Sequence, residues 1–430
     1  MLKTFRHGVH PLGRKDTADM PLQELSTPEI VYINLQQHIG APCDVKVEKG
    51  DEVKVGTLVG ASHGFVSSNI YSSVSGVVKG LEQRETVQGL KSTHIAIEND
   101  FKYEEQLLEK LENPTKEQIL ARITEAGIVG MGGATFPTHV KLSPKAPVDT
   151  LIINGAECEP FITCDYRLLL EKTDEFIEGV RLLKKVLGVE KAYVGIENNK
   201  KPAIQLLQSK NLPDIEIVPL KVKYPQGAEK QLIYAVTKRK VPAGGLPMDV
   251  GCVVSNVHTA YSVYEAVVLS KPLYRRAMTV SGNGVEKKGN YWVRNGVTAE
   301  YIYENTKGNA DKEIKKVISG GPMMGFALDS LNIATTKGSS SLLFLTENEI
   351  NLADTTACIN CATCADVCPM NLMPMFIEKV THADEYDEAL KLGVMNCIEC
   401  GSCAFSCPAK RPLVQTIKLA KKEIRKRGLK

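Results

Sequence analysis

No stretch of the 430 residues approaches the roughly 18 consecutive apolar positions that a membrane-spanning helix needs. The opening run, MLKTFRHGVHPLGRKD, lacks the apolar core of a secretory signal. On both counts the chain is expected to be soluble and cytoplasmic. A dominant charge is missing too: 53 Lys and Arg stand against 50 Asp and Glu, so no broad basic field argues for nucleic acid or an anionic membrane surface. Only the end, KLAKKEIRKRGLK, is strongly basic, and it reads as a solvated helix end rather than a lipid or partner dock. Histidines are few, 8 in all, and His10, His38, His63 and His94 fall among alternating strand patterns without a metal-ligand grouping.

Cysteine is what the chain has. Eight of its 12 cysteines form two copies of one pattern, Cys358-x2-Cys361-x2-Cys364-x3-Cys368-Pro369 and Cys397-x2-Cys400-x2-Cys403-x3-Cys407-Pro408. Such runs hold iron–sulfur clusters, and in paired runs the fourth cysteine ligates the other cluster. The expected [4Fe-4S] sets are therefore Cys358, Cys361, Cys364 and Cys407 for the first, and Cys368, Cys397, Cys400 and Cys403 for the second. Structural zinc uses two separated ligand pairs around one tetrahedral ion, which this spacing does not offer. A disulfide framework fits neither the spacing nor the size. Cys43, Cys158, Cys164 and Cys252 are scattered and read as small buried hydrophobes.

The length predicts about three domains. After an N-terminal arm (residues 1–30), short alternating runs split by glycines predict a β-domain over 31–100. Its segments VEKGDEVKVGTLVG and IYSSVSGVV resemble the half-motifs of biotinyl and lipoyl carriers, which fold as a barrel-sandwich hybrid. ASHGFVSSN between them has no lysine for a prosthetic group, which argues against swinging-arm chemistry and for a scaffold or docking module. From 101 to 272 the pattern turns to α/β. A helical EEQLLEKLEN stops at Pro114, KEQILARITEAGIVG leads into a glycine-rich loop, and strands TLIING, KAYVGIE, IEIVPL and GCVVSNV alternate with helical stretches, predicting a mostly parallel sheet. Beyond Lys271-Pro272, residues 273–348 read as a mixed α+β unit opening on a hairpin with an Asn283-Gly284 turn. Residues 349–430 form a helical cluster-binding unit.

The loop Gly127-Ile-Val-Gly130-Met-Gly132-Gly133-Ala-Thr-Phe136-Pro137 is suited to close backbone approach by a phosphate, with Lys141 near enough to add charge. It is neither a Walker A motif nor a standard dinucleotide fingerprint. Together with Asn154-Gly-Ala-Glu157-Cys-Glu159-Pro160, Tyr224-Pro-Gln-Gly227-Ala-Glu229 and Ser255-Asn256-Val257-His258-Thr259, it resembles the flavin and NADH site of the flavoprotein of respiratory complex I. That flavoprotein carries one C-terminal cluster, not two. The whole order, from the FRHGVHP arm to a unit ending SGGPMMG and the paired cysteine runs, resembles the RnfC family, a component of Rnf-type ferredoxin:NAD+ oxidoreductase complexes.

The resemblance implies a barrel-sandwich hybrid, a Rossmann-like flavin/NADH domain, a β-grasp unit of the SLBB type and a two-cluster ferredoxin. It also implies non-covalent FMN, NAD+/NADH as substrate, and a peripheral place on the cytoplasmic face of a membrane. The implied partners are integral membrane subunits and an iron–sulfur protein that accepts ferredoxin electrons. Carried over by position, Gly130, Gly132, Gly133, Lys141, Asn154, Glu157, Asn256 and Thr259 are expected at FMN, and Phe136, Glu159 and Glu229 at NADH. Ala156 and His258 depart from the complex I pattern, and no contact is carried over there. Flavin links a hydride carrier to one-electron cubes, so no side chain is required as nucleophile or base. Two other readings compete: a cobalamin reductase of a metabolic microcompartment, disfavoured because its barrel comes late in the chain, and a non-catalytic iron–sulfur relay. Without the family, Glu157 and Glu159 read as loop carboxylates, Phe136 as a core anchor, and Met323 and Met324 as gap fillers.

Overall fold

The structure, a computed structural model, describes residues 2–309, 312–351 and 353–429. The alternating segment after residue 30 folds into two facing antiparallel sheets. One orders Ile30–Asn34, Lys91–Asn99, Gly76–Glu85 and Glu52–Val53, and the other Asp44–Val45, Leu58–Ala61 and Ile70–Tyr71. Period-two burial puts Val31, Ile33, Ile95 and Ile97 in a core that continues through Met278, Val293 and Phe344 of the following α+β unit.

That unit is built on a six-stranded sheet, and its edge strand, Leu22–Glu24, comes from the N-terminal arm, parallel to Gly289–Arg294. The expected hairpin is present as Arg275–Ser281 against Gly289–Arg294, but its connection runs over 282–288 rather than through a two-residue turn. The left-handed residue there is Gly282 (φ 100°), and the Asn283 N–H donates to Glu349. Of the paired methionines, Met323 packs beside Tyr224 and Cys400, whereas Met324 is exposed.

EEQLLEKLEN is not helical. Residues 104–108 run extended along neighbouring backbone: Val55 N–H donates to the Glu104 carbonyl, Gln106 N–H to that of Val55, and Leu108 N–H to that of Ser270. Tertiary pairing satisfies the amides that a helix otherwise would, and overrides a weak local propensity. The helix Lys116–Glu125 does form, started by a capping box between Thr115 and Gln118.

The α/β domain fixes the site. Its four parallel strands lie in the order Ile215–Leu220, Lys191–Glu197, Thr150–Gly155, Cys252–Asn256. The chain lays down three strands in one direction and then returns to the other side of the first, so the order reverses between Thr150–Gly155 and Cys252–Asn256. Ligands of open α/β sheets bind at the carboxyl ends of the strands flanking such a switch point. Asn154 and Asn256 are cross-strand partners there.

Helices Thr173–Leu187 and Val257–Val268 cover the sheet and cross so closely that a Cβ on Gly179 would lie 1.9 Å from the Ala260 carbonyl oxygen. Gly179→Ala is expected to lower stability by about 3 kcal/mol through overpacking, read as a lower thermal unfolding midpoint.

The C-terminal unit is helical as expected, with Pro374–His382 and Tyr386–Lys391 between the two cysteine runs. Leu413–Arg427 packs Leu413, Ile417, Ala420 and Ile424 inward, and its basic residues face outward except Lys421, which is buried and donates to the Cys397 carbonyl (3.0 Å). Among the described residues, no helix is long and apolar enough to cross a membrane.

Candidate functional site

The glycine loop closes on itself: Gly130 N–H donates to the Phe136 carbonyl (2.9 Å) and Thr138 N–H to that of Ile128 (3.0 Å). Thr259 staples its base, accepting from Met131 N–H (3.0 Å) and donating to the Val129 carbonyl (3.3 Å). The tip, Gly132 to Ala134, is exposed over the switch point. A Cβ on Gly132 would sit 2.7 Å from Asn256 Nδ2, whereas one on Gly133 would meet nothing within 4 Å. The helix after the loop, Thr138–Lys141, is a single turn and adds little dipole.

Both asparagines are committed to protein partners. Asn154 Nδ2 donates to the Gly227 carbonyl (2.8 Å), and its oxygen accepts from Ala156 N–H (3.2 Å). Asn256 caps its helix by accepting from His258 and Thr259 N–H, and donates to Asp165 Oδ2 at 2.6 Å. Beside them, the buried oxygens Glu157 Oε2 and Asp165 Oδ1 have no hydrogen-bond donor among the described residues, and the nearest cation to Glu157 Oε2, Lys200 Nζ, lies 4.0 Å away. Burial pushes the Glu157 carboxyl up to about 7, against the pull of Lys15 and Lys200.

Buried acceptors lacking donors, beside a loop whose Gly133 leaves open space, fit a polyhydroxylated, phosphate-bearing group. The ribityl chain of FMN supplies such hydroxyl donors. Asp165 is a residue that sequence reading missed, since nothing marks it out from the other acidic residues at helix starts.

The remaining expected residues part company. Lys141 Nζ lies 2.8 Å from Glu229 Oε1 and 3.3 Å from the Val254 carbonyl, so the expected phosphate ligand and a dinucleotide residue face each other as a half-exposed pair. Phe136 is half-buried at the loop's closing turn. Glu159 is closed in between domains: Tyr224 Oη lies 3.4 Å from one carboxylate oxygen, Met323 N–H donates to the other (3.1 Å), and a Cβ on Gly321 would lie 2.2 Å from that second oxygen. His258 points into the core, its ring edge-on to Trp292 and Tyr261 and kept neutral by burial.

Burial also raises the Glu159 carboxyl from 4.5 to about 7. At this group the folded chain then binds more protons than the unfolded one between these values, so the stability that Glu159 contributes is fully present below about 4.5 and is lost as pH rises through about 7. Glu159→Gln is expected to flatten that fall, a difference of about 3 kcal/mol across the window, checked by thermal unfolding at several pH values.

In the C-terminal unit the two cysteine runs repeat one backbone course. Asn360 and Ala362 of the first run and Glu399 and Gly401 of the second have positive φ, as do Asn371 and Lys410, three residues after Cys368 and Cys407. These turns gather the sulfurs across the runs. Cys403 and Cys397 lie beside Cys400 and Cys368, and Cys368 beside Cys400. All four line one cavity closed by Leu372 and Ile417. Cys364 lies beside Cys407, and Arg411 is close to both Cys358 and Cys407.

Burial raises the thiols of Cys368, Cys397 and Cys403, with their sulfur neighbours adding to it. A donor set so crowded fits a cationic cluster, which holds such sulfurs as thiolates. Leu372 N–H donates to Cys368 Sγ and Glu399 N–H to Cys397 Sγ, both at 3.3 Å.

The two cages differ in exposure. Cys358 and Cys361 are exposed, whereas Cys368, Cys400 and Cys403 are buried. The inner cage is the one joined to the α/β domain: Tyr224 O–H donates to the Cys400 carbonyl (2.7 Å), and Gln231 donates to that of Pro369 (3.2 Å). The N-terminal arm straps this seam, with Gly8 N–H on the Val367 carbonyl and Val9 paired in both directions with Tyr224.

Comparison with known proteins follows the same division. The family profile described as the RnfC barrel sandwich hybrid domain matches residues 3–102, the Nuo51 FMN-binding domain 123–265, and the 4Fe-4S dicluster domain 350–408. The chain is 46% identical to the C component of the proton-translocating ferredoxin:NAD(+) oxidoreductase complex of Clostridium ljungdahlii, covering 100% of this chain and 95% of that protein. It is 42% identical to the counterpart from the Na(+)-translocating complex of Acetobacterium woodii, covering 98% and 97%. A crystal structure of an NAD+-reducing [NiFe]-hydrogenase in the H2-reduced state superposes with a TM-score of 0.51 at 17% identity, over 73% of this chain and 67% of that one, and shares the fold.

Proposed function

The chain belongs to the RnfC family of ion-translocating ferredoxin:NAD+ oxidoreductase complexes, and we propose that it is the NADH-facing member of such a complex, holding FMN at the switch point and two [4Fe-4S] clusters in the C-terminal unit. The observation that carries the reading is one continuous seam, in which Tyr224 bonds the inner cysteine cage to the domain whose glycine loop overhangs Asn256. FMN exchanges hydride with a nicotinamide and single electrons with clusters, so it supplies the two-to-one conversion.

This chain's residues then hold and orient. The loop amides and Lys141 would hold the phosphate. The Lys141–Glu229 pair is half-exposed and worth no more than about 1 kcal/mol, so it parts at little cost. Glu157 and Asp165 would accept from the ribityl hydroxyls, and Phe136 would border the dinucleotide. Glu159, sealed against Tyr224 and Met323, supports the seam. The crossed cysteine sets hold the clusters, with the inner one on the flavin side.

The partners are the complex's membrane and iron–sulfur subunits, and the chain sits peripherally on the cytoplasmic face. The two relatives differ in the ion they are named for, which supports placing ion choice in those partners. Anaerobic reconstitution with iron and sulfide, followed by a flavin assay and NADH titration, tests the reading. About one FMN per chain and NADH bleaching of both chromophores are expected. A brown protein that takes up no flavin leaves only the relay.

A further inference from the structure

The loop 156–162, which carries Glu157 away from the first strand, is held from behind by two ammonium groups. Lys15, in the N-terminal arm, donates to the carbonyls of Glu157 (2.9 Å), Glu159 (2.8 Å) and Ile162 (2.5 Å). Lys200 donates to the carbonyls of Ala156 (2.8 Å) and Glu157 (3.4 Å). The arm is locked on either side of Lys15, where Phe161 N–H donates to the Gly13 carbonyl (2.8 Å) and the Thr17 and Thr163 hydroxyls meet at 2.5 Å.

Burying an ammonium costs several kcal/mol unless its protons are paired, and here all three protons of Lys15 have carbonyl partners. Peptides are planar and trans, so a carbonyl aimed at a lysine turns the next N–H the opposite way. The N–H groups of Glu157 and Cys158 therefore face away from the lysines. Burial and the neighbouring Lys200 lower the Lys15 ammonium to about 8, against the pull of the Glu157 and Glu197 carboxylates, so at neutral pH it keeps its charge.

Resting on the flavin reading above, we infer that Lys15, backed by Lys200, is a positioning residue for the flavin. It fixes loop 156–162 with the Glu157 and Cys158 amides turned to the pocket, and it sets positive charge behind the loop that favours the reduced flavin, the more negatively charged form. The N-terminal arm thereby tunes a cofactor held by another domain.

The test uses full-length, cluster-loaded protein stripped of flavin, with FMN titration by fluorescence quenching and a spectroelectrochemical midpoint. Lys15→Met is expected to bind FMN about tenfold more weakly. It should also lower the midpoint by about 30 mV, the equivalent of a tenfold bias against the reduced form in a two-electron couple. Lys15→Gln, which still donates to carbonyls, is expected to lose about threefold and carries the test if the Met variant does not fold. Thr17→Ala loosens the arm without touching charge and is expected to leave the midpoint unchanged.

The inference is overturned if the Lys15 variants keep FMN affinity within about twofold of the parent and the midpoint within about 10 mV, the two-electron equivalent of twofold. It is equally overturned if Thr17→Ala shifts the midpoint as far as Lys15→Met does, which makes the effect arm docking alone. A parent protein that binds no FMN sinks the flavin reading instead, before any variant is compared.

Discussion

Cys368→Ala is expected to remove the same cluster as Cys400→Ala, and Cys407→Ala the same cluster as Cys358→Ala. Each variant should fall from about eight irons per chain to about four. Taken in chain order, Cys368 belongs with Cys358, Cys361 and Cys364. The structure instead sets it beside Cys400 on the wall of one cavity with Cys397 and Cys403.

The consequences for electron flow differ between the two losses. Without the inner cluster, which abuts Tyr224, NADH should no longer reduce the remaining outer cluster. Without the outer one, NADH should still reduce the inner. Iron analysis and electron paramagnetic resonance after NADH addition read both outcomes. Matching spectra from Cys368→Ala and Cys358→Ala would falsify the crossed sets. NADH reduction of the outer cluster in Cys400→Ala would reverse the order of the wire.

Much of this architecture is legible in the residues, because period-two and helical patterns survive wherever burial dictates them. The four parallel strands lie where TLIING, KAYVGIE, IEIVPL and GCVVSNV place them. The pattern fails where tertiary contacts decide. EEQLLEKLEN has helical composition, yet Val55 and Ser270 claim its amides. The arm's strand Leu22–Glu24 is too short to signal itself and exists because Gly289–Arg294 offers an edge.

In the site, glycines, asparagines and cysteines are readable because few other residue types perform those tasks. Lys15, Lys200 and Asp165 are not, since a charged residue looks the same in a sequence whether solvated or buried. Only the fold shows that the ammonium groups of Lys15 and Lys200 end on carbonyls. Glu159 is the converse: a motif residue whose carboxylate the structure closes against Tyr224 and Met323.

Gly132→Ala and Gly133→Ala are expected to separate protein strain from ligand contact at the glycine loop. A Cβ on Gly132 meets Asn256, which three hydrogen bonds hold in place and which cannot swing aside cheaply. That variant should disturb the helix cap, at about 1 kcal/mol, as well as flavin binding. A Cβ on Gly133 meets no protein atom within 4 Å, and its φ is not left-handed, so the exposed position tolerates alanine. Its thermal midpoint should match the parent, within the roughly 0.5 kcal/mol typical of surface changes.

If the phosphate and ribityl chain lie against this loop as closely as a glycine permits, a methyl at Gly133 intrudes on the ligand alone. FMN affinity should then fall at least about tenfold, or about 1.4 kcal/mol, with no loss of fold. Equal FMN affinity in Gly133→Ala and parent would move the flavin off this face of the loop, and with it the roles given to Glu157 and Asp165. Because the Gly133 variant carries no protein strain, a loss of affinity there has one physical source, the methyl occupying the space of the bound group.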